Sequence, residues 1–109
     1  MTTNQLNPIA SQNDAFRARP TEGLMLTKGV SDNGSAFVQE ALRAVGSFDA
    51  FTTENEPHGE HDFGALIVAG ESLFWKIDYY DRQLEGGSPD PADLTATRRI
   101  LTIMLAQEY

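Results

Sequence analysis

The chain has 109 residues, 40% of them hydrophobic and 9% aromatic, which is the profile of one ordinary folded domain and not of a disordered chain. It has no cysteine, which excludes disulfides, iron–sulfur clusters, thiolate zinc sites and cysteine nucleophiles. Eight Lys and Arg stand against sixteen Asp and Glu, for a net charge of −8; such a field repels nucleic-acid phosphates, and it serves either solubility or attraction to a basic partner.

Met1 to Asn7 are polar and expected to be disordered. They lack the basic start and apolar stretch of a signal peptide. No apolar run approaches the roughly 18 residues of a membrane span, so a single cytoplasmic domain over residues 1–109 is expected. Pro8 to Arg17 predicts a short helix with Ile9 and Phe16 as its apolar contacts, ended by Arg19-Pro20. Leu24 to Thr27 predicts a strand closed by Lys28-Gly29. Ser31 to Ser35 offers helix caps, and Phe37, Val38, Ala41, Leu42 and Val45 recur at helical spacing up to Gly46. Phe48 and Phe51 are placed to pack just beyond that helix.

Thr52 to Gly59 reads as an acidic loop leading into a hairpin over Phe63 to Tyr80. Gly70-Glu71 suits a two-residue turn with glycine first. That turn sets Ala69 opposite Ser72, Leu66 opposite Trp75 and Ile67 opposite Phe74. One face, with Leu66, Val68, Leu73 and Trp75, is core. The other carries Phe63, Ile67 and Phe74, grading into Lys76, Asp78, Tyr80 and His61 at the open end. A covering helix would bury Ile67 and Phe74 and leave Lys76 and Asp78 to pair at its edge; uncovered, the face is a binding surface. After the Gly/Pro-rich loop from Leu84, Asp90 and Pro91 look like the cap and first position of a last helix. Leu94, Leu101, Met104 and Leu105 would form its inner face, with Arg98 and Arg99 outward. The predicted class is α+β: a small antiparallel sheet of about three strands with a central hairpin, packed with about three helices in the order α-β-α-β-β-α.

His58 and His61 sit with Glu60 and Asp62 in one segment. Imidazole and carboxylate together suit a metal, but the spacing lacks the helical frame of a specific motif, so neither metal nor cofactor is expected. Gly86-Gly87-Ser88 is not a phosphate loop. No nucleophile or oxyanion-hole pattern stands beside His61 and Asp78, and no catalytic residue is assigned.

From Phe48 onward the chain resembles a bacterial family of domains of unknown function, numbered 3768. The resemblance is carried by Phe48-Asp-Ala-Phe51, Gly59-Glu-His-Asp-Phe-Gly64, Phe74-Trp-Lys-Ile-Asp-Tyr-Tyr-Asp81, Ser88-Pro-Asp-Pro91 and Thr97 to Leu105. Asn13 to Arg17 and Leu24 to Gly29 are also similar. The resemblance implies no activity for particular residues. It implies a setting on plasmids and integrative elements, where small acidic proteins sometimes inhibit host defence complexes.

The expectation is a non-enzymatic, acidic protein-binding module: an accessory protein of a mobile element, or an anti-CRISPR or anti-restriction inhibitor. Its partner would be a protein with a basic surface, such as a nucleic-acid-binding complex, with no direct nucleic acid or membrane contact. The candidate contacts are Glu54, Glu56, Glu60, His61, Asp62, Phe74, Lys76, Asp78, Tyr80 and Asp81. The alternative is a small metal-dependent or acid–base enzyme centred on His61 and Asp78.

Overall fold

A computed structural model describes residues 7–20, 22–52 and 59–109. Helix α1 is Pro8–Ala18, strand β1 Leu24–Leu26, helix α2 Lys28–Asp32 and helix α3 Ser35–Gly46. Strands β2 (Phe63–Val68), β3 (Glu71–Tyr80) and β4 (Arg98–Leu105) follow, then a 3-10 turn at Ala106–Glu108. The strands form one sheet in the order β1-β4-β3-β2, with β1 parallel to β4 and the other pairs antiparallel.

Local chemistry accounts for the first elements. Asn7 caps α1 by accepting the Ile9 amide at 2.8 Å, and Pro8 fills the first helical position. In α3, Phe37, Ala41 and Val45 are the buried stripe. They pack with Val30 of α2 onto Leu73, Trp75, Ile77, Leu101, Ile103 and Leu105 of the sheet. Each fully buried side chain of this size contributes about 1.5–3 kcal/mol. Gly64 admits the Trp75 indole, because a Cβ there would collide with Trp75 Nε1 and the Phe48 ring.

The hairpin departs from expectation by one residue at its turn. Ala69 and Gly70 both have positive φ, +50° and +83°, as a turn with two left-handed residues requires. Leu66 therefore pairs with Leu73, Ile67 with Ser72 and Ala65 with Phe74. Each partner has moved by two residues, and a two-residue slide keeps every side chain on its own face. The assignment of faces holds while the individual pairs do not.

The last element is corrected from helix to strand, which raises the sheet from about three strands to four. Asp90 and Asp93 accept the amides of Ala92 and Thr95 in tight turns and cap no helix. Leu94 is 60% exposed. From Arg98 the chain alternates and pairs on both sides, with β3 along its whole length and with β1 over three residues. Arg99, expected outward, is only 7% exposed. Helix α2 was also not expected. Its first turn is held from far along the chain, by Glu108 accepting the Gly29 amide at 2.9 Å and the Thr27 hydroxyl at 2.5 Å. No helix among the described residues is long and apolar enough to cross a membrane.

Candidate functional site

All three helices lie against one face of the sheet. On the opposite face β2 presents Phe63, Ala65 and Ile67, and β3 presents Phe74, Lys76, Asp78 and Tyr80. From β4 come Ile100, Thr102 and Met104, with Met25 beside Thr102 on β1. Ile67 is 71% and Met25 58% exposed. The Phe63 and Phe74 rings lie 5.4 Å apart, and Tyr109 stands edge-on to Phe74 at 5.2 Å. Tyr109 is set there by the 3-10 turn, which Glu108 fixes by accepting the Leu105 amide at 2.8 Å. Toward the other end of the face Lys76 and Asp78 pair at 2.8 Å, and that carboxylate raises the lysine above its ordinary pKa. The surface is thus an aromatic and aliphatic field that passes into a charged margin, with none of the described α-helices over it.

The expected contact residues divide between the two sides of the sheet. Phe74, Lys76, Asp78 and Tyr80 share the open face. Glu54 and Glu56 lie outside the described residues, as does His58. Asp81 organises the following loop by accepting the amides of Gln83 and Glu85. Glu60, His61 and Asp62 are on the helical side. His61 has φ +56°, which breaks the strand alternation before β2 begins and turns the ring toward α1. There it meets Asp14 through Nδ1 at 2.9 Å and stacks on Phe51 at 3.9 Å. The expected neighbours of His61, Asp78 and Tyr80, are on the other face, so the structure does not bring His61 and Asp78 together. Among the described residues, no three His, Cys, Asp or Glu side chains are grouped to hold a metal ion.

On the helical side the structure reveals a polar cluster that hydrophobic patterning misses. The buried stripe of α1 is Ala10, Asn13 and Arg17, with Ile9 and Phe16 only half-buried. Asn13 donates to the Glu60 carbonyl at 2.9 Å and the Tyr79 hydroxyl at 2.8 Å, and accepts from Arg99 Nε at 2.6 Å. Arg17 donates to the carbonyls of Val45 and Phe48 at 2.8 Å and lies over the Trp75 ring at 4.7 Å. Burial pushes the Tyr79 phenol far above its ordinary pKa and holds both guanidiniums below theirs. The signal available in the sequence was the spacing of Asn13 and Arg17 on the Ala10 face. Its reach across the fold to residue 99 was not.

A family model described as a protein of unknown function (DUF3768) matches residues 26–108, from the end of β1 to the 3-10 turn. No curated protein and no solved structure matches the chain. Helix α1, which supplies Asn13 and Arg17 to the buried cluster, precedes the matched segment. With the match covering well over half of its length, the chain belongs to the DUF3768 family of proteins of unknown function.

Proposed function

We propose that this chain is a non-enzymatic protein-binding module that docks through the uncovered sheet face onto a protein with a basic surface. The observation that supports it is a four-stranded sheet whose described helices all lie on one side, with Ile67, Phe74 and Tyr109 in the field on the other. Aromatic anchors within a polar margin are what a binding surface uses for affinity. The choice of partner rests on charge. At −8, long-range attraction favours a cationic surface and speeds encounter with it. Phe74 and Tyr80 act as anchors, Lys76 and Asp78 set the register of docking, and Glu54, Glu56 and Glu60 steer.

The test starts with a photo-crosslinking phenylalanine analogue at Phe74 in the full chain, expressed in its native host. The crosslinked protein is then purified and its binding kinetics measured. The expected partner contacts the probe through a basic segment. Association slows as salt rises past about 0.15 M, where screening acts beyond roughly 8 Å. Reversal of Glu54, Glu56 and Glu60 to lysine lowers the association rate, and Ile67→Asp or Phe74→Ala raises the dissociation rate. Crosslinking only to a second copy of this chain, or an association rate indifferent to salt and to the triple reversal, overturns the proposal.

A further inference from the structure

Strand β2 is an edge of the sheet, paired with β3 on one side. The Ile77 amide donates to the Asp62 carbonyl at 2.9 Å, which fixes the alternation of the backbone. Asp62, Gly64, Leu66 and Val68 turn their N–H and C=O groups to β3, and Phe63, Ala65 and Ile67 turn theirs outward. Among the described residues, no hydrogen bond reaches those outward groups. Such an edge is a template for another strand, and sheets blunt it with lysine, proline, a bulge or short length. The opposite edge, β1, is short, with three residues. β2 has six, Phe-Gly-Ala-Leu-Ile-Val, with no charge and no proline, and pairs with β3 without a bulge. In a chain of net charge −8, this is a stretch along which two copies meet without opposing like charges.

We propose that β2 pairs antiparallel with β2 of a second copy, about a twofold axis through Ala65, so that the two sheets become one. This register uses all of the outward groups: Ala65 pairs with the second copy's Ala65, and Phe63 with its Ile67. A slide of two residues either way sets Ile67 against His61 or Phe63 against Ala69, both at positive φ and outside the strand. The axis stands perpendicular to the sheet, which keeps like faces together. On the helical side Gly64 then faces the second copy's Leu66. A cavity of about 170 Å³ lies beside Gly64, lined by Phe48, Ala50, Phe63, Gly64 and Ala65 and by no residue of β3, which places it at this edge. The absent side chain at Gly64 leaves the room, and the half-buried Leu66 is the plug. On the other side Ile67, 71% exposed, gains the second copy's Phe63 as an aromatic neighbour. The dimer joins the two open faces edge to edge and leaves both uncovered, so it does not rest on the protein-binding proposal.

The experiment uses the purified full chain alone, so its failure and the failure of the protein-binding reading are separate results. Sedimentation equilibrium is expected to show a reversible dimer. Hydrogen exchange should protect the Phe63, Ala65 and Ile67 amides increasingly as concentration rises. Ala65→Pro removes an outward N–H and no bond to β3. It should weaken the dimer about hundredfold, since each copy loses one hydrogen bond. A cysteine variant needs no proline in the sheet. The chain has no cysteine of its own, and a hydrogen-bonded antiparallel pair holds its Cα atoms about 5.5 Å apart, within disulfide reach. Oxidation should link Ala65→Cys into a covalent dimer and leave Ser72→Cys, one strand further in, unlinked. A chain still monomeric at about 1 mM, a dimer indifferent to Ala65→Pro, or equal linking of the two cysteine variants overturns the proposal. So does protection of those amides that appears only with a different protein bound.

Discussion

The two faces of this sheet invert the usual division of side chains. Under α1, on the covered face, sit Asn13, Arg17 and Arg99, all less than 9% exposed. On the uncovered face Ile67 is 71% exposed and three aromatic rings gather in the open. The polar groups are tolerated inside because each has several partners fixed by the fold, and removing one partner strands the others. The apolar groups outside have little to lose from substitution. Stability therefore rests on the covered face, and under the proposed function recognition falls to the other, so variants should separate them.

Arg17→Ala should have the largest effect. It removes the donors to the Val45 and Phe48 carbonyls, the ion pair with Asp14 and the cover over Trp75. A loss of about 3–5 kcal/mol by urea unfolding is expected. A loss below 1 kcal/mol would mean that the polar cluster is not what holds α1 to the sheet.

Neighbouring residues on β2 sharpen the comparison. Gly64→Ala pushes a methyl into Trp75 and Phe48 and should cost about 1–3 kcal/mol. Ile67→Ser, three residues on and facing outward, should stay within about 0.5 kcal/mol while weakening partner capture. Equal effects at the two positions would contradict the division of labour.

The smallest expected effect is a local one, driven by pH. Hydrogen bonds, first from the Thr27 hydroxyl and then from the Leu105 and Gly29 amides, hold Glu108 below the ordinary glutamate pKa. Because the folded value is depressed, the stabilisation is present above the unfolded value of about 4.3 and is lost as pH falls through the folded one. Contacts between Tyr109 and Phe74, followed by NMR, should loosen in that acid range while the Asn13–Arg99 bond persists. Glu108→Gln should abolish the pH dependence of those contacts.

The sequence was informative where a side chain's role depends on its near neighbours. The stripe of α3 and the two faces of the hairpin follow from local spacing, and the faces withstand a misplaced turn because a two-residue slide preserves them. The turn itself was missed because alanine seldom takes positive φ, yet Ala69 does so beside Gly70. Strand β4 was misread because Leu101, Met104 and Leu105 also satisfy helical spacing, and Asp90-Pro91 imitates a helix start. What decides for the strand is pairing with β3 and β1, which lie far away in sequence. His61 left the open face for the same kind of reason, through a left-handed residue that no alternation pattern records. Of the expected contacts, the four on β3 share one surface and the segment from Glu60 to Asp62 lies behind the sheet.

The central place of strand β4 has a consequence for the order of folding. β4 is the last of the described strands along the sequence, yet it lies between β1 and β3, so β1 has no place in the sheet until it emerges. A nascent chain holding α1 to β3 has its hairpin but no seat for β1, and Leu73, Trp75 and Ile77 lack their neighbours on Leu105, Ile103 and Leu101. Joining Leu24 to Leu101 also closes a long loop, which slows folding relative to a chain of local contacts. Until β4 joins it, the hairpin carries an unpaired strand edge and an incompletely covered core face. In that interval the protein is most exposed to aggregation and to chaperones.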